Sequence, residues 1–409
     1  MNKPKDNGGA EGAARGMRTI ITLVGRRNAG KSSLINALCN QEVAIVSDIA
    51  GTTTDPVAKA YELLPLGPVT FYDTAGIDDE GEIGKLRVSA TKKVLCRTDI
   101  ALMVINERGI KKEEEDLVNE LKKLDIPFII VFNKCDLTSP SQSDIKFCQS
   151  NAINFAEVSA KNYANIDDLK AKIIATLPKD MMAEPSLAAD LIKEGDFVLC
   201  ITPIDLAAPK GRLILPQVQL IREILDSDAI AVVSKEREIE AALSNFGRKP
   251  NLVVTDSQVV LKVAGDVPDD IPLTTFSILF ARFKGDLKLL VDGARAIDKL
   301  QNGDKVLIGE ACSHHNQADD IGRVKIPRWL TQYTGKDLHF DIFSGHDFPE
   351  NLEDYKLVIH CGACMINRKE MVRRIVECNR RGVPITNYGV CISKVQGVLE
   401  RVIKPFIGI

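Results

Sequence analysis

The sequence predicts an α/β chain in which an N-terminal P-loop domain is followed by two smaller α/β domains with mainly parallel sheets. Three observations predict it. Short apolar runs alternate with amphipathic stretches from residue 19 onward, as βα units do. The first run, TIITLV at 19–24, leads directly into GRRNAGKS at 25–32, a phosphate-binding loop in strand–loop–helix setting. Proline-rich breaks at 178–185 and 266–272 then interrupt the pattern twice. The breaks give a flexible polar tail at 1–16 and domains at 17–178, 179–270 and 271–409.

Composition excludes several classes. The 409 residues are 45% apolar and 27% charged, as in ordinary globular proteins. A formal charge of -3 offers no electrostatic case for a nucleic-acid or anionic-membrane partner. No apolar run reaches the roughly 18 residues of a bilayer span. The first 16 residues lack the apolar core of a signal peptide. The ten cysteines read as reduced thiols of a cytoplasmic chain, which invites a metal reading of the spaced ones.

In the P-loop, Gly25, Asn28, Ala29 and Gly30 present backbone N–H groups to phosphates. Lys31 reaches the β and γ oxygens, Ser32 binds Mg²⁺, and Ser33 continues the first helical turn. Thr53, in GTTTD at 51–55, is placed to complete the Mg²⁺ shell when a γ-phosphate is present. DTAG at 73–76 follows the strand at 69–72: Asp73 acts on Mg²⁺ through water and the Gly76 N–H senses the γ-phosphate. NKCD at 133–136 supplies Asn133, Lys134 and Asp136. A carboxylate there accepts from guanine N1 and N2 together, which adenine cannot offer. Ser159, Ala160 and Lys161 form the supporting base loop. The expected ligands are GTP and GDP with Mg²⁺. The expected activity is GTP hydrolysis, with Lys31, Thr53, Asp73 and Gly76 as its catalytic residues.

This motif order resembles the Era/TrmE-like branch of GTPases. Ile77 follows the DTAG motif where Ras-like proteins carry a water-positioning glutamine. The resemblance implies that Asn28 helps hold a K⁺ ion that stimulates hydrolysis; the alternative is that Asn28 only shapes the loop. Asp55 and Glu80 are both open as residues that orient water.

The middle segment reads as strands at 196–201, 229–233 and 252–256, with helices at 216–225, 236–246 and 258–264. It carries no nucleotide fingerprint or ligand cluster. Cys200 reads as a core thiol, and the polar, glycine-containing stretch 204–213 as a contact surface. In the third domain, 273–280 is either strand or buried helix, and 286–300 is a helix. The span 318–334 is helical with Pro327 starting or kinking it. Strands at 305–311, 338–343, 355–360 and 384–387 and helices at 367–381 and 392–405 complete the domain.

Two half-motifs end strands of that domain: Cys312-x-His314 and His360-Cys361-x-x-Cys364. Ligands in open α/β sheets gather outside the carboxyl ends of strands. The helix expected after Cys364 aims its positive end at them. Zinc, as Cys₃His or Cys₂His₂, would give a closed structural site. A [4Fe–4S] cluster on three thiolates leaves one iron for another ligand. His314 and His360 are candidates for that ligand, for hydrogen bonds to sulfide, or for lining a pocket. Cys391, opening a later helix, is a further candidate ligand.

GTPase motifs joined to this split cysteine–histidine motif resemble the HydF family of [FeFe]-hydrogenase maturation GTPases, over essentially the whole chain after residue 16. Asn387, Tyr388 and Gly389 also match that family's pattern. The resemblance implies a [4Fe–4S] cluster on Cys312, Cys361 and Cys364, with His314 and His360 near it. It implies a homodimer formed through the middle segment. It further implies a scaffold that receives a transient di-iron precursor from radical-SAM maturases (HydE and HydG). That load passes to apo-[FeFe]-hydrogenase (HydA), with GTP biasing partner association or release. The main rival is a zinc-containing Era-like GTPase of ribosome or tRNA processing, which calls for a basic RNA face or a KH-type loop. Neither is evident. A GTP-switched interaction module with a structural zinc, or a redox enzyme, are the other readings.

Overall fold

The structure is a computed structural model that describes residues 18–40, 57–64, 66–74, 76, 91, 94–177, 186–203, 213–311, 320–344, 349, 351–363 and 366–406. The chain divides into two compact units, Met1–Glu184 and Pro185–Ile409. The tail at 1–16, the break at 178–185 and the stretch 204–212 lie outside the described residues.

The first unit holds a six-stranded sheet in the order β2-β3-β1-β4-β5-β6. Its strands are β1 (Thr19–Val24), β2 (Val57–Leu63), β3 (Gly67–Asp73), β4 (Ile100–Ile105), β5 (Phe128–Phe132) and β6 (Phe155–Glu157). Only β2 runs antiparallel, against β3. Strands covered on both faces become continuous apolar runs, and every residue of β4 is buried. One face packs under helices Lys31–Cys39 and Ile166–Thr176, the other under Lys112–Lys123 and Gln142–Ser150. These two layers bring the carboxyl ends of β1, β3 and β5 to one edge, where the phosphate and base motifs emerge.

The second unit contains two parallel sheets. One runs β10-β9-β7-β8, from β7 (Phe197–Ile201), β8 (Ile230–Ser234), β9 (Leu252–Thr255) and β10 (Leu273–Thr275). The other runs β12-β11-β13-β14, from β11 (Lys305–Glu310), β12 (His339–Ser344), β13 (Leu357–His360) and β14 (Ile385–Asn387). The span 273–280 proves to be strand and helix in succession. Leu273–Thr275 pairs with β9, then Thr275 accepts a hydrogen bond from the Ile278 N–H (3.1 Å) and starts helix Phe276–Lys284. Sheet pairing thus carries the middle sheet past the proline-rich stretch at 266–272. Composition along the chain cannot show this, because only hydrogen-bond partners define a sheet's extent.

Two expected helices differ from the sequence reading. Pro327 sits in the first turn of Ile326–Thr334, and a π-helical turn, Ile321–Lys325, precedes it. The helix expected at 392–405 starts earlier, at Tyr388, because the Asn387 side chain caps the Val390 N–H (2.9 Å). It is then split after Val395, where Gly397 adopts φ +73 before Leu399–Ile403. The two sheets share a helical layer. The Arg401 guanidinium donates to the carbonyls of Ala264, Val267 (2.6 Å) and Pro268 (3.1 Å). Arg282 makes a two-pronged pair with Asp190 (2.8 and 2.5 Å).

Candidate functional site

The nucleotide site grows from the end of β1. Gly25 is buried with φ +145, and a Cβ there would run into the Val104 carbonyl, so the loop can pass only as glycine. Gly30, at φ +88, lies under the Asn133 side chain. Asn133 joins three motifs. Its Nδ2 donates to the Ala29 carbonyl (2.9 Å), and its Oδ1 accepts from the Ala160 N–H (3.1 Å). Ser159 donates to the Asp136 carboxylate (2.5 Å), which orients that group for a base edge. Lys134 holds φ +64 with its ammonium 3.2 Å from Glu107, and Lys161 is exposed beside Ala160.

On the phosphate side, Lys31 folds over the loop and donates to the carbonyls of Gly25 (3.0 Å) and Arg26 (2.9 Å). Ser32 donates to Asp73, so the two oxygens expected around Mg²⁺ already meet. Burial raises the Asp73 carboxyl, against the hydrogen bond from Ser32 and the charge of Lys31. Hard oxygen donors of this kind suit Mg²⁺. Ser33 is half-buried in the first helical turn, Gly76 is buried, and Asn28 is exposed with φ +58. Thr53, Asp55, Ile77 and Glu80 lie outside the described residues.

The second site lies at the carboxyl edge of the third sheet. β11 pairs with β13, placing Gly309 beside His360, and the Cys361 N–H donates to the Gly309 carbonyl (2.8 Å). The Ala311 N–H then donates to Cys361 Sγ at 3.2 Å. Cys312 follows Ala311 and Cys364 follows Ala363. Cys312, His314 and Cys364 themselves lie outside the described residues, and no group of three metal-binding side chains occurs among those described. The described atoms fit a soft metal group: a half-exposed thiol, an amide donor on its sulfur, and two further cysteines adjacent in sequence to the converging strand ends.

His360 is fully buried and both ring nitrogens are engaged. Arg374 Nη1 donates to Nε2 (2.7 Å), and Nδ1–H donates to the Cys361 carbonyl (2.8 Å). Glu370 completes the chain by accepting from Arg374 Nη2 (3.1 Å). Burial, then the Arg374 charge, pushes His360 down to about 4, so the ring is neutral. In this arrangement the imidazole orients the backbone of Cys361. Cys391, the further candidate, is fully buried in Tyr388–Val395, and burial pushes its thiol up to about 12.

Sequence reasoning missed three residues here, Lys284, Arg374 and Glu370, and gave Tyr388 only as part of a family pattern. Lys284 is 2% exposed, and its ammonium donates to the carbonyls of Ala363 (3.1 Å) and Ile366 (2.7 Å), the described residues that flank Cys364 in the sequence. Arg374 and Glu370 form the buried chain above. Their four-residue spacing on the helix Arg368–Arg380 is the signal that was available. Tyr388 has a buried hydroxyl without a hydrogen-bond partner among the described residues. Burial, then the charges of Cys361, Glu310 and Asp320, push it far above the ordinary tyrosine range, with Arg323 opposing.

Residues 20–134 match a family model described as 50S ribosome-binding GTPase. Residues 187–285 match the hydrogen maturase F dimerization domain, and 288–405 the hydrogen maturase F tetramerization domain. The chain belongs to the hydrogen maturase F family. The two maturase models together span more than half of the chain, and they meet just after helix Phe276–Lys284. The N-terminal segment is a GTPase domain, with relatives in other families. The tRNA modification GTPase MnmE of Chromobacterium violaceum is 36% identical over 157 residues, 38% of this chain and 34% of that protein. GTPase Der of Campylobacter concisus is 41% identical over 124 residues, 29% of this chain and 26% of that protein. The chain spans about a third of the length of the curated relatives it matches. A crystal structure of Aquifex aeolicus Era bound to GDP·AlF4⁻ aligns at 23% identity with a TM-score of 0.36, covering 56% of this chain and 98% of that one. No described helix is long and apolar enough to cross a membrane.

Proposed function

We propose that this chain hydrolyses GTP and serves as a [4Fe–4S] scaffold in [FeFe]-hydrogenase maturation. It would receive a di-iron precursor from radical-SAM maturases and deliver it to apo-hydrogenase. The observation that carries the reading is the Ala311 N–H to Cys361 Sγ contact of 3.2 Å, which brings the flanks of both half-motifs together at one strand edge. Cys312, Cys361 and Cys364 would hold the cluster, and its open iron would offer a coordination position for the load. The buried chain Glu370–Arg374–His360 sets the backbone at Cys361, and Lys284 holds the carbonyls of Ala363 and Ile366 that flank Cys364 in the sequence.

In the GTPase domain, Asp136 would select guanine, Lys31 would neutralise phosphate, and Ser32 with Thr53 would hold Mg²⁺. Asn28 would hold K⁺. GTP would act on partner association or release, as expected of a nucleotide switch. The family's dimerization and tetramerization domains support self-association of this chain. The edge strand β8 supports it further, with Ile230 49% and Val233 44% exposed.

The test is metal content of anaerobically prepared protein, with EPR after dithionite reduction, for the wild type and Cys361→Ser. About four irons with matching sulfide, and a reduced-cluster signal lost in the variant, are expected. One zinc without sulfide would end this reading and return the chain to the zinc-containing Era-like GTPase of ribosome or tRNA processing.

A further inference from the structure

Tyr388 lies at the cysteine edge without a role in the account so far. Asn387 is in register with His360 across β13 and β14, so Tyr388 and Cys361 are the residues that follow this pair at the carboxyl end of the sheet. Its ring extends to the π-helical turn Ile321–Lys325. There a Cβ on Gly322 would run into the Tyr388 hydroxyl and ring, so glycine leaves the space the hydroxyl occupies. The neighbouring polar groups are engaged elsewhere. Arg323 donates to Glu310 (3.1 and 2.7 Å), Ser344 also donates to Glu310 (2.8 Å), and the His360 ring is held at both nitrogens. The tyrosine hydroxyl is buried with no hydrogen-bond partner among the described residues. A buried donor without an acceptor is uncommon in folded proteins, and an acceptor that arrives with a ligand at this edge would satisfy it.

We infer that Tyr388 donates a hydrogen bond to the sulfur edge of the cluster held through Cys361, as a positioning residue that tunes the cluster. The inference rests on the iron–sulfur reading above. Hydrogen bonds to the sulfurs of an iron–sulfur cluster stabilise its reduced, more negative form and so raise its reduction potential. Tyr388→Phe keeps the ring and its packing and removes only the donor. Gly322→Ala keeps the donor and displaces it.

The experiment is an anaerobic potentiometric titration, read by EPR, on the full-length reconstituted wild type and both variants. Thermal unfolding of each cluster-free protein accompanies it. A more negative midpoint and an altered reduced-cluster line shape are expected for Tyr388→Phe. A shift in the same direction is expected for Gly322→Ala. Cluster-free Tyr388→Phe should melt no lower than the wild type, since its hydroxyl has no partner to lose among the described residues. An unchanged midpoint and spectrum in both variants would overturn the inference. So would a loss of cluster-free stability without a shift in potential, which would mark the hydroxyl as structural. Wild-type protein that takes up no iron and sulfide fails at the first step, and that result sinks the iron–sulfur reading itself.

Discussion

Two residues carry predictions that follow from their immediate surroundings. The Asp136 carboxylate is aligned by the Ser159 hydroxyl at 2.5 Å and is the group able to accept from both guanine N–H donors. Asp136→Asn replaces one of those acceptors with a donor. Hydrogen bonds to a charged group contribute roughly 1.5–3 kcal/mol, so GTP should bind about ten- to a hundredfold more weakly in a fluorescent-nucleotide titration. An unchanged Kd would remove Asp136 from the base site. His360 makes a pH prediction for the cluster-free protein. Its folded value of about 4 lies below the ordinary 6.5, so the unfolded chain binds the extra proton first as pH falls. Stability is therefore full above pH 6.5 and declines between 6.5 and 4, by about 3 kcal/mol in total. Denaturant unfolding at pH 7.5 and pH 5 should show the loss, and His360→Gln should flatten the slope. A wild-type slope no steeper than the variant's would contradict the neutral, Arg374-bonded ring.

At the level of elements, helix Phe276–Lys284 connects the middle sheet of the second unit to Ala363 and Ile366, the residues that flank Cys364 in the sequence. Its start is set by the Thr275 cap at the end of β10, and its last residue places a buried ammonium on the carbonyls of Ala363 and Ile366. Lys284→Met keeps most of the apolar stem and removes the donors. Both carbonyls would lose the ammonium; that of Ala363 keeps the Ile366 N–H (3.4 Å), whereas that of Ile366 loses the donor given by Lys284, at about 1–3 kcal/mol for a buried group left unsatisfied. A lower urea midpoint with an unchanged slope is expected, together with faster loss of iron to a chelator. Iron retained at the wild-type rate would detach Lys284 from the site. The helix Arg368–Arg380 has a parallel role, because Asn367 caps it by accepting from Glu370 (3.0 Å) while Glu370 holds Arg374 toward His360. One cap thus orients both the helix and the chain of side chains it carries.

Across the molecule, an edge strand should govern assembly. β8 ends the middle sheet, and its pattern of exposed and half-exposed residues differs from the fully buried β7 beside it. An open parallel edge with exposed Ile230 and Val233 is a surface that a second strand can extend. Ile230→Lys with Val233→Lys should shift sedimentation toward monomer while leaving GTP hydrolysis in place. Self-association at wild-type strength would place the interface elsewhere.

Short motifs were legible from the chain alone because their chemistry is local. GRRNAGKS must follow a strand and open a helix, and NKCD must follow one at the same edge, so the sequence alone places Lys31, Ser32, Asn133 and Asp136 at the strand ends where the fold has them. Fully buried parallel strands were legible too, since both faces demand apolar residues. Only the tertiary structure showed that Asn133 ties the phosphate loop to Ala160, or that Leu273–Thr275 belongs to the middle sheet. It alone brought Lys284 and Tyr388, distant in sequence, to the cysteine edge. The reason is physical. A motif's spacing encodes what one loop does, whereas buried polar partners are chosen by packing between segments whose separation along the chain carries no periodic signal.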